Sequence, residues 1–164
     1  MRWLLIDWFF LTLEGNQNHI HLLKPWQSLP DIQYGIQIMD KKIIATPKAP
    51  AAIGPYSQAI KIGDFLYTSG QISLDAETME MVTGSIEIET EKVLQNLEAI
   101  LMKDGLNLTH VIKTTVYLSD LGDFSKMNQV YEKFFADNRP ARACVQVAAL
   151  PKGAKVEIDA IAHS

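Results

Sequence analysis

The sequence predicts an α+β domain in which two helices pack on one face of an antiparallel or mixed sheet. Three observations lead there. The chain has 164 residues, 48% hydrophobic and 21% charged, enough for one domain and a tail but short for two full domains. Its apolar pattern switches between a period of two and a period near 3.6 in the order βββαβαββ. The strands also come in runs rather than in strict alternation with helices, which argues against a purely parallel sheet.

Lys42–Thr46 reads as a short strand. A loop from Pro47 to Pro55 follows, stiffened by the fixed φ of its prolines. Tyr56–Ile62 and Phe65–Ile72 read as two strands joined through Gly63-Asp64, a pair suited to a two-residue hairpin turn. Leu74–Gly84 has few apolar anchors and is expected to be a connection or a second small hairpin. From Glu87 the period becomes helical. Val93, Leu94, Leu97, Ile100 and Leu101 form the apolar side, with Glu89, Glu91, Lys92, Gln95 and Glu98 opposite, and Gly105 as the stop. His110–Leu118 is rich in β-branched residues and alternates, so it is a strand. A second helix begins near Leu121–Asp123, with Phe124, Met127, Tyr131 and Phe134 as one stripe. Arg142–Leu150 and Lys155–Ala162 are the last strands, around Pro151–Ala154.

A helix layer on one side leaves the other sheet face bare unless it is polar or covered by another copy. The apolar strand residues Val145, Val147, Val156 and Ile158 beside Arg142, Cys144, Gln146 and Glu157 therefore point to a homo-oligomer with polar chemistry at the subunit boundary.

Residues 1 to about 40 differ in composition from the rest. All three tryptophans, Trp3, Trp8 and Trp26, lie there. The segment is expected to be an N-terminal extension, poorly ordered or peripheral, with 41–164 as the domain; a short amphipathic docking segment is the second reading. A signal peptide or anchor fits less well. Asp7 interrupts the apolar run, no small-x-small cleavage site follows, and the run is shorter than the roughly 20 residues that span a bilayer. Met39 would serve as a start. His19 and His21 would share a face on a strand but have no third ligand nearby, so no metal is expected.

Several function classes fall away. Fifteen basic against nineteen acidic residues give a net charge of −4, a poor match for nucleic acid. The single Cys144 excludes an intramolecular disulfide framework and a multi-cysteine zinc site, and suits a cytoplasmic protein. Gly54, Gly63 and Gly70 fit neither the dinucleotide nor the P-loop spacing, and no HExxH or GxSxG is present, so no cofactor is expected. The chemistry concentrates in Pro140–Val147 and Lys155–Ala160. Arg142 and Cys144 share a strand face by the period of two, and Glu157 stands in an apolar strand, where a charge is costly to bury unless paired or facing a cleft. Two readings stay open. One is an Arg142–Glu157 ion pair. The other is a carboxylate clamp at Arg142 beside a water-handling acid/base at Glu157, the clamp using a bidentate fork that lysine lacks.

Ala49–Gln58 (APAAIGPYSQ), Tyr67–Gln71 (YTSGQ), Lys113–Asp120 (KTTVYLSD) and Pro140–Val147 (PARACVQV) resemble the hallmark segments of the RidA (YjgF) reactive intermediate deaminase family, in order along residues 41 to 164. The resemblance implies a chorismate-mutase-like fold and a homotrimer with a barrel-like core and sites between subunits. It also implies cofactor-free hydrolysis of 2-enamino and 2-imino acids, such as 2-aminoacrylate and 2-iminopropanoate, to 2-keto acids and ammonia. By the same resemblance Arg142 binds the substrate carboxylate and Glu157 positions or activates the water. Tyr56, Ser69 and Gly70 line the pocket, Asn128 stands at the cleft, and Cys144 contacts the carboxylate through its backbone N–H. Family members are also credited with translation inhibition, nuclease or chaperone-like roles, so the alternative is a non-enzymatic ligand-binding regulator on the same fold. The chain departs from the pattern in its extension, in Met79 where the family often has glycine, and in the short Asn138-Arg139 link before Pro140.

Overall fold

The computed structural model describes residues 40–164. The expectations for the tryptophans, His19, His21 and Met39 lie outside the described residues. Within them the element order is the expected one: β1 Lys41–Ile44, β2 Ala59–Ile62, β3 Phe65–Thr68, α1 Ile86–Lys103, β4 Val111–Leu118, α2 Phe124–Phe135, β5 Ala141–Gln146 and β6 Val156–His163. The fold is α+β. One sheet runs β1-β2-β3-β6-β4-β5, antiparallel except for the β4–β5 pair at one end. No helix among the described residues is long and apolar enough to cross a membrane.

The helix-side core is drawn from α1, α2 and alternate strand residues. Val93, Leu94, Leu97, Ile100 and Leu101 on α1 are fully buried against Leu66, Val116, Leu118, Val156 and Ile158. Removing such a side chain to alanine typically costs about 2–5 kcal/mol, the lost transfer energy plus the cavity. Helix α1 ends as the sequence predicts. Gly105 takes φ +77, its N–H reaches the Met102 carbonyl, and Leu106 N–H reaches that of Leu101, the paired bonds of a Schellman cap. The last turn is tied to the sheet by Asp104, whose buried carboxylate meets Lys42 at 2.6 Å and Lys61 at 2.7 Å.

Several expectations are corrected. The strand read over Tyr56–Ile62 starts only at Ala59, because Gln58 uses its side chain to organise the proline loop instead. Its Oε1 accepts Thr46 N–H, and its Nε2 donates to the carbonyls of Thr46, Ala49 and Pro50. The strand read to Ile72 ends at Thr68; beyond it only Gln71 pairs, with Ile158. The strand read to Leu150 ends at Gln146. Glu89, assigned to the solvent side of α1, is buried and accepts Lys155 N–H and Ser73 Oγ–H. On α2 the buried stripe is Met127, Val130, Tyr131 and Phe135, with Phe134 only half-buried. Leu74–Gly84 closes as a small hairpin through the Leu74–Met81 bridge, and Met79 at its turn has φ 59, the left-handed region where glycine is the easy choice.

The opposite sheet face carries Ile43, Phe65, Tyr67 and Val145, exposed by 62%, 39%, 44% and 43%. Val156 and Ile158, expected on this bare face, lie in the helix-side core.

Candidate active site

The expected site residues fall into two groups. The first surrounds a cavity of about 280 Å³ lined by Tyr56, Gln58, Gly70, Gln71, Lys152 and Glu157 together with apolar residues that include Ile53 and Ile72. The loop from Pro47 to Pro55, held by Gln58, forms one wall. Tyr56 folds back so that its ring lies near Gly54 and its hydroxyl accepts Ile53 N–H at 3.4 Å. The loop between β3 and α1 forms another wall. Glu157 reaches in from β6, half-buried, and its carboxyl is raised above the ordinary 4.5 by burial and by the neighbouring Asp159.

Gly70 is what admits that carboxyl. A Cβ at this position would stand 2.0 Å from Glu157 Oε1, so any side chain would displace it. Ser69 has its hydroxyl committed to the backbone, donating to the Ser57 carbonyl at 2.7 Å. Its part is to join the two loops rather than to offer a free hydroxyl to the cavity.

The second group lies on the helix side of β5. Arg142 pairs in register with Thr114 and Cys144 with Val116, and both partners are buried in the helix-side core. The Arg142 guanidinium lies 4.5 Å from the Tyr131 ring centre and 5.6 Å from that of Phe124. It holds no ion pair with any described residue. Asn128, half-buried, sits one turn from each of these aromatic residues on α2, which puts it on the same helix face. Burial raises the Cys144 thiol, against the lowering influence of Arg142; it stays protonated at neutral pH and is a poor nucleophile.

The two groups do not meet in one chain. On β4, Thr114 pairs with Arg142 while Tyr117 pairs with Glu157. Residues three apart on a strand point to opposite faces, so Arg142 and Glu157 lie on opposite sides of the sheet. The ion pair left open by the sequence is thereby excluded within a subunit. Sequence reasoning missed Gln58, Gln71 and Lys152 in the cavity wall. It also read Tyr131 and Phe124 as core stripe alone; their spacing of seven with Asn128 between them was the available signal.

Residues 46–164 match the family model described as Endoribonuclease L-PSP. A RutC family protein of Pyrococcus abyssi is 51% identical over 125 residues, covering 76% of this chain and 98% of that protein. The human protein named 2-iminobutanoate/2-iminopropanoate deaminase is 47% identical over 122 residues, covering 74% of this chain and 89% of its own length. Among solved structures, Escherichia coli TdcF with bound serine matches with a TM-score of 0.71 at 44% identity, over 75% of this chain and 98% of that one. RidA from the Antarctic bacterium Psychrobacter matches with a TM-score of 0.72 at 47% identity, over 75% and 99%.

Proposed function

The chain belongs to the endoribonuclease L-PSP family, the RidA (YjgF) family of imine deaminases, and on that premise we propose that it hydrolyses small 2-imino acids to 2-keto acids and ammonia. The observation that carries this reading is Arg142. Its guanidinium lies over an aromatic ring and pairs with no described carboxylate, an arrangement suited to taking a ligand carboxylate through two parallel bonds. The human, rat and mouse relatives named for this activity support the substrate class, and the small cavity suits a ligand of only a few heavy atoms.

The reaction asks little of the protein. The enamino acid tautomerises to the imine. Glu157 takes a proton from water as the oxygen adds to C2 of the C=N bond and passes it to nitrogen, giving a neutral carbinolamine. Glu157 then takes the carbinolamine hydroxyl proton and delivers it to the same nitrogen as the C2–N bond breaks and the C2=O bond forms, and ammonia leaves. Every atom comes from imine and water, so no cofactor enters the scheme. A carboxyl held above its usual range suits a group that must both accept and give back a proton near neutral pH. Cys144 contributes a backbone N–H to the carboxylate, Asn128 and Tyr56 line the cleft, and Gly70 leaves room for Glu157.

Because Arg142 and Glu157 stand on opposite faces of one sheet, we place the complete site between copies of the chain, Arg142 from one and Glu157 from its neighbour. The exposed apolar face of Ile43, Phe65, Tyr67 and Val145 supports burial in a homotrimer with a barrel-like core. A coupled assay tests the reaction: a dehydratase releases 2-aminoacrylate from serine, and this protein should accelerate ammonia and pyruvate formation. An unchanged rate with folded protein would refute the activity and leave a ligand-binding role.

A further inference from the structure

We propose that Tyr131 is a positioning residue for Arg142, its ring fixed by Thr114 so that the guanidinium plane is set before any ligand arrives. The inference rests on the carboxylate-clamp reading of Arg142 and adds the part of the chain that aims it.

Three elements meet at this point. Thr114 on β4 and Arg142 on β5 are paired in register, so their side chains stand beside each other on the helix side of the sheet. Tyr131 descends from α2, is 6% exposed, and places its hydroxyl 2.7 Å from Thr114 Oγ1. Its ring lies 4.5 Å from the Arg142 guanidinium carbon. On its other flank Tyr131 meets Phe135, centre to centre 4.5 Å at 33°, and Phe135 is itself buried. The ring is thus held by a hydrogen bond at its tip and by an aromatic neighbour along its side.

A phenol buried this deeply is a choice that packing alone does not explain. Phenylalanine would fill nearly the same volume without a hydroxyl to satisfy, and a buried hydroxyl costs free energy unless it finds a partner. Here the partner is Thr114, the residue beside Arg142. Burial raises the Tyr131 phenol, although Thr114 and Arg142 both act to lower it, so it stays neutral and offers the cation a ring face rather than a charge. A guanidinium stacked on a ring spends its face and keeps its N–H groups in plane for a ligand. Without the ring, Arg142 would have to order a long, flexible side chain on each binding event.

The test uses the full chain and four variants: Tyr131→Leu, Tyr131→Phe, Thr114→Val and Arg142→Ala. Pyruvate is the carboxylate probe and pyruvamide its neutral control. Tyr131→Leu should weaken pyruvate binding about tenfold, leave pyruvamide binding alone, and raise KM for the imine with kcat nearly kept, the pattern of lost ground-state binding. Thr114→Val and Tyr131→Phe keep the apolar volume and fold if Tyr131→Leu does not; each should show a smaller loss in the same direction. In the Arg142→Ala background Tyr131→Leu should weaken pyruvate binding no further. NMR of the Arg142 guanidinium gives a readout free of activity: hindered rotation in the wild type should become fast in Tyr131→Leu. If that change is seen and no imine is hydrolysed, the positioning role stands and the deaminase reading falls. If imine is hydrolysed while pyruvate binding and guanidinium rotation are unchanged in these variants, or the Tyr131→Leu loss persists without Arg142, the positioning role is overturned.

Discussion

The two halves of the candidate site are built on opposite principles. The Glu157 half is a walled cavity. Gln58 anchors one loop over it, Ser69 ties a second to the first, and the carboxyl occupies the space that Gly70 leaves. The Arg142 half has no walls; it is a cation laid on an aromatic ring at the end strand of the sheet. A cavity that desolvates a carboxyl makes it easier to protonate. An open platform keeps a guanidinium charged and its hydrogen-bonding edge available. On the proposed reading, the difference teaches that neither half is a site alone, and that a neighbouring copy would supply what each lacks.

The largest expected effect breaks the cavity half. Glu157→Gln keeps the shape and removes the proton transfer, so kcat/KM should fall on the order of 10²–10⁴-fold. In the wild type kcat/KM should rise with pH through a midpoint above the ordinary 4.5, since burial raises this carboxyl, and the variant should lose that limb. Stability carries the opposite sign. A carboxyl whose folded value is raised contributes stability fully present below its unfolded value and lost as pH rises through the folded one. Chemical denaturation should therefore find Glu157→Gln more stable than wild type at neutral pH, with the advantage vanishing in acid.

Arg142→Ala tests the platform half. Losing a bidentate charged pair should lower kcat/KM by about a hundredfold. The melting temperature should hardly move, because Arg142 holds no ion pair with any described residue. A loss of several kcal/mol would instead reveal a structural arginine.

Gly70→Ala sharpens the comparison further. The added methyl collides with Glu157 Oε1 and should cost about tenfold in kcat, since small misplacements of a catalytic group are expensive, while carboxylate binding at Arg142 is kept. Equal loss in both would mean that the halves are not separable.

The smallest effect on activity belongs to Asp104, which pairs with Lys42 and Lys61 and does not line the cavity. Burial alone would raise its carboxyl, but Lys42 and Lys61 together bring it below the ordinary range. Its stabilisation is thus present above the unfolded value and lost as pH falls through the folded one. Asp104→Asn should cost about 1.5–3 kcal/mol of stability and leave kcat/KM unchanged, measured by denaturant titration beside the deaminase assay.

Much of this could be read from the chain. The α1 stripe from Val93 to Leu101 marks the core because each of its residues repeats at helical spacing and nothing competes for them. The Gly63-Asp64 turn was legible too, since the turn needs a positive φ and Gly63 supplies 56°. Arg142 and Glu157 stood out because charges inside apolar strands demand a reason. Their placement on opposite faces did not, for it depends on β6 inserting between β3 and β4, a pairing between distant segments that no local pattern records. The strand ends near Tyr56 and Ile72 were misjudged because Gln58 and Ser69 divert the backbone bonds into loops. Tyr131 was hidden by its own burial: an aromatic in a core stripe looks like packing until the strand beside it is known.

The account turns on a site shared between copies, and subunit mixing tests that most directly. Arg142→Ala and Glu157→Gln proteins, each nearly inactive alone, would be dissociated, mixed in equal amounts and reassembled. If Arg142 of one copy works with Glu157 of its neighbour, random mixing restores an intact pair at about a quarter of the boundaries, and activity should recover to about that fraction of wild type. Activity that stays at the level of the separate variants, in a mixture verified to have exchanged subunits, would contradict the shared site and require Arg142 and Glu157 of one chain to serve the same substrate.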